Sequence, residues 1–268
     1  MMTLPSILIL ALMVMACLGV FTWIISLLLN DVSIVDSVWP LLILLATLTY
    51  ILRCPFIGPR ALIVVVLVAL WSLRLSAHIT WRHWGQTEDR RYQAIRARNA
   101  PYFPWKSLVL VFGLQVLLAW IVSLSTLGAI INTKPWHLVD TIAACIVMAG
   151  TLFEAIADWQ LARFKADPAL EGQVMDRGLW RLSRHPNYFG EFCVWWGFYL
   201  LTLSTHAWWA IASPVLMSIL LLKVSGVSLQ EKTIAGRRPG YQDYVNRTNA
   251  FFPDRPKQSS DHGRQSID

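Results

Sequence analysis

Apolar residues in this chain come in long blocks, not in the short periodic stripes of a water-soluble helix or strand. The blocks fall at roughly residues 5–29, 33–52, 61–81, 107–131, 138–160, 187–205 and 207–226. Most approach or exceed the ~20 residues a helix needs to cross a ~30 Å hydrocarbon core. Lipid offers no partner for backbone N–H and C=O groups, so apolar blocks of this length must satisfy them internally as helices. The pattern predicts an all-α, polytopic membrane protein of about seven spans, packed as one bundle over residues 1–253 with a polar, disordered tail at 254–268. The first block has no basic n-region and no small-residue cleavage site, so it reads as a span and not as a signal peptide. The longest polar insert, "WRHWGQTEDRRYQAIRARNAPYFPW" from Trp81 to Trp105, mixes Arg with Trp and Tyr as an interfacial helix at headgroup depth does.

Composition agrees, with 56% hydrophobic and 15% charged residues and a mean hydropathy of +0.49. A formal charge of +7 could point to nucleic acid, but the placement of the cations points to a membrane instead. Of 23 Lys and Arg, six lie in 82–106, five in 163–184 and eight from 223 onward, leaving Arg53, Arg60, Arg74 and Lys134. By the positive-inside rule the three clusters face the cytoplasm, which puts the N-terminus outside and the C-terminus inside. Arg53 and Arg60 are then expected to face outward, against the rule. Cys17, Cys54, Cys145 and Cys193 show no metal-ligand spacing, and neither a disulfide nor a metal site is expected.

Ionisable groups inside spans are costly and mark function. Asp36, in "NDVSIVDSVWP", lies about a turn into the second span, where it could meet interfacial water or act as an acid in a substrate cavity. Arg74, His78 and Arg82 recur at i, i+4 and i+8 and form one stripe down the third span. Glu154, Asp158 and Lys165 share another helical face, where two carboxylates on successive turns need a donor such as a ribose hydroxyl, an amide or an Arg. In "RGLWRLSRHPNYFGEF", Pro186 suits the first position of a helix, whose positive end would face Arg177, Arg181, Arg184 and His185. Asn187 and Glu191 follow one turn in, beside Tyr188. A similar segment after the last span carries Glu231, Arg237, Arg238, Tyr241, Tyr244 and Arg247 and could close over a ligand. Phosphate-binding cations and ribose-binding carboxylates next to an apolar cavity suit a phosphorylated nucleotide acting on a lipid.

"RGLWRLSRHPNYFGEF" followed by "GYQDYVNRTNAFFP" resembles the C-terminal half of steroid 5-alpha-reductases and sterol C14 and C7 reductases. With "VDSVWP", "WSLRL" and "EDRRY", the chain most resembles a bacterial branch of that group labelled a domain of unknown function. The resemblance implies a seven-helix fold in a bacterial inner membrane, NADPH as cofactor, and hydride transfer to the conjugated C=C of a lipid enone. It implies that Asp158 meets the cofactor's ribose or adenine, that Asn187 and Glu191 hydrogen-bond the cofactor, and that Arg184 and His185 serve its phosphates, with Arg82 nearby. The steroid reductases use a Gln-Glu pair and a Tyr after the matching His; here Asp36 and Ile79 stand in those places, so either Asp36, His78 or Tyr92 is the catalytic acid or the substrate is not a steroid enone. Isoprenylcysteine carboxyl and phospholipid methyltransferases share the "RHPxYxGE" element, so an S-adenosylmethionine-dependent methyltransferase is the alternative, and a non-catalytic lipid-binding protein is a third. The partners expected are membrane lipids and a lipid-like substrate, whose identity the sequence leaves open along with the oligomeric state.

Overall fold

The computed structural model describes residues 3–55, 57–131, 134–203, 207–224 and 240–257. Its regular structure is helical: α1 (Leu4–Leu29), α2 (Ile34–Arg53), α3 (Pro59–His83), α4 (Arg90–Asn99), α5 (Phe103–Ile130), α6 (Leu138–Ala166), α7 (Pro186–Leu200), α8 (Trp208–Lys223) and α9 (Tyr241–Arg247). Local chemistry sets the boundaries. Prolines open α1, α3 and α7, where a missing N–H leaves no bond unmade. Asn30 ends α1 in the left-handed conformation at φ 52°. In α5 a π-helical turn, Leu108–Gly113, precedes the α-helical remainder.

Five helices, α1, α2, α3, α5 and α6, are long and apolar enough to cross a membrane. The chain is thus a polytopic, all-α membrane protein. The last two apolar blocks form shorter helices. α7 has 15 residues, a rise of about 22 Å, and α8 opens as a 3-10 turn and closes as a π turn. Many outward positions of the long helices are apolar, among them Phe21, Leu28, Leu52, Leu62 and Val66, as a lipid-facing surface requires.

Chain contacts divide the structure into two compact units, Met1–Thr151 with Cys193–Ser218 and Leu152–Phe192 with Ile219–Asp268. In the first unit α2 packs against α1, α3 and α5. Gly19 lets α1 approach α5, since a Cβ there would stand 2.7 Å from the Val116 side chain. Buried hydroxyls pair between helices: Tyr50 with Ser123 at 2.8 Å, Thr47 with Thr126 at 3.0 Å and Ser125 with Ser213 at 3.0 Å. In an apolar medium each pair satisfies groups that water would otherwise have to reach.

The fold gives Arg53 and Arg60 different surroundings. Arg53 is exposed, but Arg60 is buried at 2% exposure and faces Asp140, also at 2%. The guanidinium donates to both Asp140 oxygens, at 3.2 and 2.5 Å, and to the carbonyls of Lys134 and Pro135 at 2.8 and 3.0 Å. Asp140 also caps the start of α6 by accepting from the His137 N–H at 2.8 Å. Arg60 thus clamps the start of α3 to the start of α6.

The second unit joins the C-terminal turns of α6, the 167–185 segment, the first turns of α7, and α9. Trp180 donates its indole N–H to the Ala157 carbonyl at 2.9 Å. Gly178, at φ 58°, lies so close to Gln160 that a Cβ would come within 2.5 Å of its Oε1, and that same oxygen accepts from the Leu179 N–H at 2.9 Å. The chain after α9 returns along this segment: the Arg184 N–H donates to the Asn249 carbonyl and the Asp254 N–H to the Leu182 carbonyl, each at 2.9 Å.

Removing one member of the Arg60–Asp140 pair leaves a buried charge without its partner. Asp140→Asn and Arg60→Met are each expected to cost about 3–5 kcal/mol. Arg60→Met/Asp140→Leu should recover most of that loss, as measured by denaturant unfolding in detergent.

Candidate functional site

The second unit holds the acidic candidates from α6. Glu154 and Asp158 are buried, whereas Lys165, on the same face, is exposed as the helix ends. The first turns of α7 bring Asn187, whose Nδ2 donates to the Asp158 carboxylate at 3.2 Å, and Glu191, which is buried. Asn187 Oδ1 is buried and accepts no hydrogen bond among the described residues. His185 is buried and its ring stacks on Tyr188, with centroids 5.5 Å apart and planes 2° from parallel.

The cations of this unit divide by use. Arg184 turns its Nη1 to the carbonyls of Val245 and Thr248, at 3.0 and 2.6 Å, and so ends α9. Arg247 pairs with Asp176. Arg177 and Arg181 are exposed beside them. Tyr241 and Tyr244 are buried, and Tyr244 donates its hydroxyl to the Trp180 carbonyl at 2.5 Å. Burial, the nearby Tyr241 and Asp176 push the Tyr244 phenol well above its ordinary value, against the opposing charges of Arg184 and Arg247. Glu231, Arg237 and Arg238 lie outside the described residues.

In the first unit two of the three candidate acids meet. Tyr92 is the one buried residue of α4, and its hydroxyl donates to Asp36 Oδ1 on α2 at 2.6 Å. Arg91 donates to Asp36 Oδ2 at 2.8 Å, and Gln115 Nε2, on α5, stands 3.4 Å from the Tyr92 hydroxyl. The Tyr92 ring sits in a cluster with Trp23, Val35, Phe103, Val111 and Phe112. His78 lies elsewhere on α3, half-buried, with its ring 6.2 Å from Trp81. Arg74 is also half-buried, and Arg82 is exposed. At the end of α3 an open cleft of about 630 Å³ is lined by Leu29, Asp31, Ile34, His83, Trp84 and Glu88.

Sequence reasoning passed over Arg91 and Gln115. The signal for Gln115 is plain in hindsight: it is an amide inside the apolar block at 107–131, the kind of residue that lipid excludes unless it has a partner. Arg91 was one of five cations between Arg90 and Lys106, and nothing in the spacing sets it apart.

A family profile described as "Protein of unknown function (DUF1295)" matches residues 22–248, a span that takes in both groups of residues. The chain is similar to an uncharacterized protein of Schizosaccharomyces pombe, 28% identical over 271 residues, covering 88% of this chain and 76% of the relative. No solved structure matches.

Burial, then the charge of and hydrogen bond to Asp36, drive the Tyr92 phenol well above its ordinary value. A raised folded-state value means that this contact stabilises fully below the unfolded pKa of about 10 and is lost as pH rises beyond it. In an alkaline absorbance titration, Tyr92 and Tyr244 should ionise after the exposed tyrosines. Tyr92→Phe should remove one late-ionising phenol, and an unchanged late fraction would contradict the assignment.

Proposed function

The chain belongs to the protein family of unknown function DUF1295, and from that premise we propose that it is a membrane-embedded, NADPH-dependent reductase of a conjugated C=C bond in a lipid. The observation that carries this reading is the part-buried contact of Asn187 with Asp158, in the unit that also holds the buried carboxylates Glu154 and Glu191. Asp158 accepts from an amide N–H, and ribose hydroxyls and a carboxamide N–H are donors of the same kind. The buried Asn187 Oδ1, which accepts no hydrogen bond among the described residues, fits a ligand N–H or O–H. Exposed Arg177, Arg181 and Lys165 add cations suited to phosphate, which S-adenosylmethionine lacks. The donor and acceptor set therefore fits a phosphorylated dinucleotide better than the methyl donor.

NADPH supplies a hydride when bound. Asp158, Asn187 and Glu191 hold and orient it, with His185 and Tyr188 beside them. Reduction of an enone adds hydride at the β carbon and a proton at the α carbon, so a proton source is also required. Tyr92, which donates its hydroxyl to Asp36 in one hydrogen bond, is one candidate for it. His78 is the other candidate. The lipid substrate is a steroid, another isoprenoid or a fatty-acyl enone, and the basic segments face the cytoplasm of a bacterial inner membrane with the N-terminus outside.

Purified full-length protein in mild detergent should show fluorescence quenching and a thermal shift with NADPH. A shift with S-adenosylmethionine alone overturns the reductase reading in favour of a methyltransferase, and a response to neither favours a lipid-binding protein. Asn187→Ala and Glu191→Gln are each expected to weaken NADPH binding tenfold or more with unchanged circular dichroism. Asp36→Asn should slow NADPH consumption with an enone lipid but leave binding intact.

A further inference from the structure

The 84–106 segment carries more positive charge than its own contacts consume. Its acids are Glu88 and Asp89 and its cations Arg90, Arg91, Arg96, Arg98 and Lys106. Arg96 takes Glu88 with two hydrogen bonds, at 2.9 and 2.7 Å, and Arg91 takes Asp89 at 3.0 Å and Asp36 at 2.8 Å. Arg90, Arg98 and Lys106 remain exposed, and Lys106 reaches the Asn99 carbonyl at 3.1 Å. Arg90 and Arg98 make no ion pair among the described residues.

Helix geometry turns this surplus in one direction. At 100° per residue, Tyr92 and Arg96 share the face that α4 turns to its own unit. Arg90, Ala94, Ala97 and Arg98 occupy the opposite face. The inner face is fixed by the Tyr92 contact to Asp36 and by the Arg96 guanidinium over the Phe103 ring at 4.7 Å. On either side of α4, Trp81, Trp84, Tyr102 and Trp105 are 65–80% exposed. Exposed indoles and phenols next to the ends of membrane-spanning helices belong at headgroup depth. The outer cationic face is therefore held at the level of lipid phosphates.

We infer that the outer face of α4, through Arg90 and Arg98, together with Lys106 at the start of α5, binds anionic phospholipid headgroups of the surrounding bilayer. Three cations with no competing acid match phosphodiester anions, and the flanking aromatic side chains match the glycerol and upper acyl region of the same molecules. Each exposed cation should raise the preference for an anionic over a zwitterionic lipid by about fivefold.

The test is native mass spectrometry of the full chain, delipidated in non-ionic detergent and re-equilibrated with equal amounts of phosphatidylglycerol and phosphatidylcholine. Wild type should retain phosphatidylglycerol at least fivefold in preference, and the preference should fall as salt is raised. The variant R90Q/R98Q/K106Q should lose it with unchanged circular dichroism, and R90K/R98K should keep it. Equal retention of the two lipids by wild type overturns the inference, as does a preference that survives R90Q/R98Q/K106Q or rising salt. Displacement of the lipid by millimolar inorganic phosphate would assign the face to free anions and overturn the lipid assignment.

Discussion

The constraint on which this structure rests is that a polar group inside a bilayer must find its partner within the protein. It explains why hydroxyls meet in pairs between α2, α5 and α8, and why Arg60 and Asp140 lock together so completely. It also explains why the remaining buried polar residues gather in small groups. Asp36 is met by Tyr92 and Arg91, and Asp158 by Asn187. Helix length satisfies the backbone, and these contacts satisfy the side chains.

The two groups of candidate residues differ in the kind of contact that holds them. Around Asp36 the carboxylate accepts from a phenol and from a guanidinium, so the contact holds α4 to α2 as well as supplying a proton-bearing group. Around Asp158 the Asn187 amide donates its N–H to the carboxylate, and its buried oxygen accepts no hydrogen bond among the described residues. Such an acceptor suits a ligand N–H or O–H group. Arg184 and Tyr244, in contrast, already serve the protein, one ending α9 and the other fastening it to the Trp180 carbonyl.

Hydropathy alone made the all-α membrane architecture legible, because the length of an apolar block and the thickness of a bilayer are tied by geometry. Pro186 marked the start of α7, and of Glu154, Asp158 and Lys165, which the helical repeat put on one face, the first two are buried and the third is exposed. Long-range pairing was not legible. Arg60 and Asp140 are 80 positions apart, and Tyr92 and Asp36 are 56 apart, so no local period connects them. The 3-10 and π turns of α8 were also hidden, since they leave the run of apolar residues intact.

The π turn at Leu108–Gly113 means that α5 is two helices with different phases sharing one axis. A π turn accommodates one residue more than an α turn, so the positions after Gly113 are rotated by roughly 100° from where an unbroken helix would put them. Gln115, which stands 3.4 Å from the Tyr92 hydroxyl, lies just after that offset. Any alignment of relatives that inserts or deletes one residue in this turn would swap lipid-facing and protein-facing positions along the rest of the span. The turn, and not the identity of any single side chain, sets the reading frame for the second half of α5.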